Sequence, residues 1–376
     1  MGAYNLWLGR TYDGTNHLAK DPNVPKVPWE EIIDAAETAN TPGSFTAFIG
    51  YEWSSAPGGN NLHRVVVYRD GKEQANTRIP LSNELDNDPE ALWDWMEAYQ
   101  SETGGKLLAI PHNGNLSNGL MFDDARFNGE PMNAEYAERR QRLEPLYEVT
   151  QMKGDGEAHP MLSPDDAFAD FETWDKGSFG TEPKSPDMLP REYARAAYLR
   201  GMQHEAKLGE NPFKFGMIGS TDAHTSLSTS REENFFGKIT ALEPSANEIR
   251  LYEPITGRLG SEENQIKAWE TSASGLAAVW ARENTREAIF DAMMRREVFA
   301  TTGTRMRVRV FAGYDFVEAD LPRSDFAAHG YSNGVPMGGE LRAGEGRAPR
   351  LSIQALRDPD GANLDRIQVI KGMLNA

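Results

Sequence analysis

The sequence predicts an α/β protein organised around parallel strands, and three observations carry that expectation. Short apolar segments rich in β-branched and aromatic residues alternate with helix-period segments through residue 303. Residues able to bind metals or anions sit where those apolar segments end, as on the C-terminal rim of a parallel sheet or barrel. From about residue 304 the helical period disappears and strict alternation takes over. Residues 1–303 therefore read as one α/β domain, and 304–376 as a β-rich segment belonging to a sandwich.

Taken in order, residues 27–40 are expected as a helix, with Pro28 near its first turn and Ile32, Ile33, Ala36 and Ala39 along one side. SFTAFIGYEW (44–53) and HRVVVYRD (63–70) read as strands. Asp88 and Pro89 supply a cap and a first-turn proline for a helix carrying Leu92, Trp95, Met96 and Tyr99. KLLAIPHN (106–113) is a strand entering a histidine loop, 135–144 a polar-faced helix, and PLYEVTQ (145–151) the next strand. A long helix over 191–209 and the strand KFGMIGSTDAH (214–224) follow. Asn284 and Glu287 give a capping-box-like start to the helix in NTREAIFDAMMRRE. In the tail RMRVRVFAGY alternates, the remainder offers strands between Gly, Pro and Asp turns with no helical period, and residues 367–370 read as a buried strand.

The 376 residues carry 57 carboxylates against 39 lysines and arginines, a formal charge of −18. A nucleic-acid site needs a basic stripe, so this balance argues against nucleic acid as a partner. No apolar run approaches the roughly 18–20 residues that span a bilayer, which argues against a membrane. Met1 to Arg10 lacks the basic flank and apolar core of a signal peptide. The chain has no cysteine. That removes disulfides, thiolate zinc sites and a cysteine nucleophile, and leaves oxygen and imidazole as ligands.

The histidines are His17, His63, His112, His159, His204, His224 and His329. His112 and His224 follow apolar strands, and His63 opens the strand after the one carrying Glu52. Asp222-Ala223-His224 is the sharpest local signal, because two ligands one residue apart on an extended turn can face one pocket. Imidazole with carboxylate suits Zn, Mn or Fe. Taken singly, each of these histidines also reads as an ordinary hydrogen-bonding loop residue. Glu52 lies inside IGYEW, where an unpaired carboxylate costs several kcal/mol; its counter-charge is a metal on one reading and Arg64 on the other. Glu148 ends a strand and His159 lies in the turn-rich GDGEAHP, so both are candidates for a further ligand. His204 and His329 read as surface residues, and His17 has no assigned role. HNGNLSNGLMF (112–122), with Asn113 near its front, either presents amides to anionic oxygens or satisfies tight turns. Arg305, in ATTGTR, either clamps a phosphate or carboxylate or makes a surface ion pair.

GYEW with NNLHR, IPHNGNLSNGLMF, EPLYEVTQMKGDGEAHP, GMIGSTDAHT, EENFFGK and RREVFATTGTR together resemble a large bacterial family catalogued as a domain of unknown function. That family is placed in the PHP (polymerase and histidinol phosphatase-like) superfamily, and the resemblance covers nearly the whole chain. It implies a distorted, TIM-like barrel of parallel strands binding up to three divalent ions at the C-terminal strand ends. The superfamily's ligand pattern is His-x-His, an Asp/His pair, a Glu, two separate His and a closing Asp-x-His. Its later part falls on Glu52, His63, His112, Asp222 and His224. The activity implied is metal-dependent hydrolysis of a small anionic substrate, of phosphoesterase type, by a metal-bound hydroxide with no protein nucleophile. Arg64, Asn113 and Arg305 are the candidates to hold the substrate anion. A carbonyl, amide or lactone substrate is the alternative reaction, and a non-catalytic metal- or anion-binding chain the alternative to an enzyme.

The front of that pattern is not found: no His-x-His occurs, and no Asp/His pair precedes Glu52. The chain therefore reads either as a fragment with an incomplete barrel front and an interrupted tail, or as a relative that has lost those ligands. Either way the expectation is weak metal binding and little hydrolase activity as it stands, against two or three ions in an intact protein.

Overall fold

The computed structural model describes residues 26–238, 243–256, 261–344 and 346–374. His17 and Met1 to Arg10 lie outside the described residues. Helices form where the sequence supplies caps and an apolar stripe. Helix α1 (Lys26–Ala39) buries Trp29 and Ile33. Helix α2 (Pro89–Thr103) starts on Asp88, whose side chain accepts from the Glu90 N–H, and ends at Gly104 in the left-handed region. Helix α3 (Ala134–Leu143) is capped by Asn133, and α4 (Ala194–Leu208) ends at Gly209. Helix α5 (Arg286–Met294) is capped one residue later than expected, by Thr285. Asn284 is engaged elsewhere, accepting from the Thr46 hydroxyl and donating to the Ser44 carbonyl.

Strands β1 (Gly50–Trp53), β2 (Arg64–Tyr68) and β3 (Leu107–Pro111) form an antiparallel sheet in that order. Strand β4 (Leu146–Gln151) pairs in parallel with β6 (Gly216–Gly219), and the short β5 (Gly154–Asp155) pairs antiparallel with β4. A parallel bridge between His112 and Glu148 links β3 to β4. On the far side of β6, Gly216 faces Val298 and Gly219 faces Thr301, so β10 (Val298–Thr301) runs alongside in the same direction. Strand β9 (Leu276–Val279) pairs antiparallel with β10. A separate two-stranded ribbon joins β7 (Pro254–Thr256) to β8 (Ile266–Lys267). The described residues are thus mixed α/β: β3, β4, β6 and β10 run parallel, whereas β1 to β3 alternate in direction. Strand β2 reverses because only the loop 54–63 joins it to β1, too little chain for a crossover helix.

Alternation gives this row of strands two faces. Val66, Tyr68, Leu107, Ala109, Tyr147 and Val149 pack with the buried residues of α1 to α4. Val67, Leu108, Ile110, Leu146 and Ile218 pack with Phe290 and Met293 of α5 and with Val298. On the first face, Arg64 is buried against Glu144, Nε to Oε1 3.0 Å. Glu144 also accepts from Trp93 Nε1 at 2.9 Å and pairs with Arg140 at 3.2 Å.

In the tail, β11 (Arg307–Gly313) lies between β12 (Val335–Pro336) and β13 (Arg350–Leu356), all antiparallel. Helix α6 (Phe326–Asn333) was not expected there. It is only eight residues long and contains a glycine, so it leaves no periodic signal. Its Phe326 joins Phe311 and Phe316 in a small core. Residues 367–370 do not form the expected buried strand: Ile367, Val369 and Ile370 are 55, 59 and 58% exposed, and no strand among the described residues pairs with them. An apolar run becomes a buried strand only where a neighbour supplies hydrogen bonds and cover. No described helix is long and apolar enough to cross a membrane.

The Arg64–Glu144–Arg140 cluster yields the first test. Glu144→Ala leaves two buried guanidinium groups without their carboxylate, a change that costs about 3–5 kcal/mol. Urea unfolding followed by fluorescence should show a loss of that size; a loss under about 1 kcal/mol would show that the cluster does not hold the helices to the sheet.

Candidate functional site

The second face of the strand row ends in polar residues. Glu52 pairs with Val65, and Val65 with Ile110, so their side chains share a face. His63 precedes Val65 by two residues and His112 follows Ile110 by two, which puts both histidines on that face at the same edge. Glu148 stands opposite His112 across the parallel bridge and opposite Ile218 in the ladder. Beyond β6, the backbone at Asp222 turns through a left-handed conformation, φ +52°.

The five residues expected as ligands are brought together. His63 Nδ1 and His112 Nε2 both approach Glu52 Oε1, at 2.6 and 3.0 Å. His224 Nε2 lies 2.9 Å from Asp222 Oδ1. Two groups have the spacing of a cation site, Glu52 with His63 and His112, and Glu52 with Asp222 and His224; within each, ligand atoms lie within 4.8 Å of one another. Glu52 belongs to both. His63 and His112 are buried, whereas the His224 side chain is 43% exposed and forms the open side of the cluster.

Burial and charge compete at each group. Burial pushes the Glu52 carboxyl up, but the His63 charge and hydrogen bonds from both histidines hold it well below the usual carboxylate range. At His63 burial prevails and lowers the imidazole. At His112 burial also opposes the charge, yet the Glu52 hydrogen bond and the Glu148 charge raise it. Burial raises Glu148, whose Oε2 accepts from Ser220 Oγ at 2.6 Å. Asp222 is pushed up by burial and held far down by two lysines.

Those lysines, Lys153 and Lys238, are functional candidates that the sequence reading missed. Each ammonium lies 2.6 Å from Asp222 Oδ2, and the two side chains are 4 and 5% exposed. Gln151 Nε2 also donates to Asp222 Oδ2, at 2.8 Å. Burial draws Lys238 down to about 8. The signal available for Lys153 was its place just past the end of β4, on the rim that carries the other residues.

The remaining candidates are placed otherwise. Arg64 cannot hold a substrate beside Glu52: it alternates with His63 and Val65, so it points to the opposite face and pairs with Glu144. Asn113 is close to the cluster, accepting from Gln151 at 2.8 Å, but its amide donates to Asn115. The carboxamides in the rest of the 112–122 stretch tie it to other segments: Asn115 donates to the carbonyls of Lys153 and Trp174, and Asn118 to that of Glu182. Arg305 is exposed, and its backbone N–H donates to Asp358. His159 pairs with Asp175 at 3.2 Å and lies tilted against Tyr193, outside both cation groups. His204, expected at the surface, is buried and meets Asp124 at 2.9 Å. His329 is largely covered and pairs with Asp320.

A second test follows from the charge balance. Asp222→Asn removes the counter-charge of two buried ammonium groups, so unfolding free energy should fall by about 3–5 kcal/mol. Chemical denaturation at neutral pH measures it; unchanged stability would mean that the lysines are not held by Asp222.

No curated protein and no solved structure matches this chain. A family model, however, matches residues 10–376, the whole α/β body with its cluster and the β-rich tail. By that match the chain belongs to the family described as protein of unknown function (DUF3604).

Proposed function

We propose that the chain is a PHP-superfamily hydrolase that works with divalent ions, of phosphoesterase type, its strand row forming part of a TIM-like barrel. The observation that carries this reading is the pair of three-ligand groups sharing the Glu52 carboxylate. Three protein ligands with a position left open is the arrangement of catalytic zinc sites. The donor set fits such an ion. Tetrahedral ligands about 2.1 Å from zinc stand roughly 3.4 Å apart, so the contacts at 2.6, 2.9 and 3.0 Å need to widen by less than about 1 Å. His63 Nε2, His112 Nδ1 and Glu148 Oε1 are also buried without a hydrogen-bond partner among the described residues, so the chain alone does not satisfy these groups.

Divalent ions, when bound, supply the charge that polarises a scissile group and acidifies water. The chain's own residues prepare for this. Glu52 stays ionised between the two groups. Burial lowers His63, which favours the neutral form that an imidazole ligand needs. Phe179 lies over the His63 ring at 5.8 Å and shields that side from water, which leaves the His224 side as the approach for substrate.

The test is elemental analysis of the chain loaded with Zn²⁺ or Mn²⁺, alongside assays on phosphomonoesters, phosphodiesters, amides and lactones. The expected result is up to two weakly held ions, both lost in Glu52→Gln and one lost in His224→Ala, with slow, chelator-sensitive turnover of phosphate esters. Turnover of amides or lactones instead would replace the ester reading. Ions held without any turnover would favour a binding protein, and no ions at all would remove the hydrolase reading.

A further inference from the structure

Metal-ligand chemistry gives Lys153 and Lys238 no task, yet they are the most deeply placed cations in the cluster. An ammonium group carries three N–H donors. Lys153 directs one at Asp222 Oδ2. Lys238 directs one at the same oxygen and one at the Asp222 backbone carbonyl. Among the described residues this leaves two donors on Lys153 and one on Lys238 without an oxygen or nitrogen acceptor, the Phe179 ring lying 5.6 Å from the Lys153 ammonium. Both side chains are more than nine-tenths buried, so a ligand entering from the exposed His224 side would meet donors that bulk water solvates poorly.

Asp222 is in the opposite condition. Its Oδ2 meets two lysines and Gln151, and its Oδ1 meets His224. Two ammonium groups converge on one oxygen of Asp222, while its Oδ1 stays turned toward His224. Their field reaches the rest of the cluster, since Lys153 acts on His63 and Glu148 and Lys238 acts on Glu52. The side chains expected to hold an anion are elsewhere, Arg64 on the other face and Arg305 in solvent.

We propose that Lys153 and Lys238 form an oxyanion subsite that takes the terminal oxygens of a phosphoryl group beside Glu52 and Asp222. A tetrahedral oxyanion offers several acceptors to the three unused donors, and charge-assisted bonds of this kind are about twice as strong as neutral ones. A phosphate monoester presents three terminal oxygens to these donors where a diester presents two, so the monoester is the better fit. The identity of the reaction rests on the proposed hydrolase reading; the subsite itself rests on the lysine donors.

The test is calorimetric titration of the full chain, chelator-treated and Zn²⁺-loaded, with inorganic phosphate and with dimethyl phosphate as the monoanion control. Phosphate should bind the chelator-treated chain at least about tenfold more tightly than dimethyl phosphate. Lys153→Met and Lys238→Met should each weaken it at least about tenfold, the equivalent of one charged hydrogen bond. Because removing a buried lysine can disturb the fold, crystals of the unaltered chain soaked in tungstate give a second reading: anomalous density should lie within hydrogen-bond reach of both Nζ atoms. Phosphate affinity unchanged in both folded Met variants, or tungstate bound away from the lysines, overturns the subsite. If the chain takes up no metal but phosphate binds through the lysines, the hydrolase reading fails and the subsite stands. If metal binds and the Met variants keep their phosphate affinity, the reverse holds.

Discussion

Side chains on an extended strand have only two directions available, and the placement of the candidate site depends on that restriction. On β2 and the residue before it, His63, Val65 and Val67 share one direction while Arg64, Val66 and Tyr68 take the other. Strand pairing then carries the choice across the row, from Glu52 through Val65 to Ile110 and from His112 to Glu148. Apolar residues fill the length of this face and polar ones terminate it, so packing against α5 and assembly of the cluster are two ends of one register. A slip of one residue in β2 would turn His63 into the helix layer and bring Arg64 to Glu52. The buried Arg64–Glu144 pair opposes that slip, since it would leave Glu144 without its partner.

Charge is distributed with the same economy. The chain is strongly acidic as a whole, but two carboxylates of the cluster meet positive or imidazole partners: Glu52 two histidines, Asp222 two lysines and a histidine. The outcome is graded. The Glu52 end is buried and imidazole-rich, which suits a cation; the Lys153 and Lys238 side carries surplus donors, which suits an anion. A reaction that joins a divalent ion to a charged ester needs both within reach of one another.

The residues legible in the sequence were those whose position alone identified them. Glu52, His63, His112, Asp222 and His224 each stand where an apolar segment begins or ends, and the structure gathers them. Arg64 was open to a correct reading by alternation, because a neighbour of His63 on a strand faces away from it. His204 follows Ala194, Ala197 and Gly201 at spacings of three, four and three, the buried stripe of α4, which its charged neighbours obscured. Lys153 and Lys238 are harder cases, since a lysine shows its burial only when the fold brings a carboxylate to it. The direction of β1 to β3 also depended on a connection length rather than on any strand's composition. Helix α6 and the exposed residues 367–370 depend on what packs against them, which a local pattern does not record.

Phe179 covers His63 and also lies 5.6 Å from the Lys153 ammonium, so one ring borders the cation side and the anion side of the cluster. Its position is fixed by main chain. The Phe179 N–H donates to the Gly59 carbonyl at 2.9 Å, and a Cβ on Gly59 would lie 2.3 Å from the Gly180 nitrogen. The loop after β1 and the long excursion after β5 therefore touch backbone to backbone, at a separation that any side chain on Gly59 would increase. A Cβ on Gly180 would likewise meet the Gly58 carbonyl oxygen at 2.3 Å, so the clearance above His63 is set by two glycines beside the ring. A side chain at either glycine would push the two segments apart and lift the ring from its place over His63.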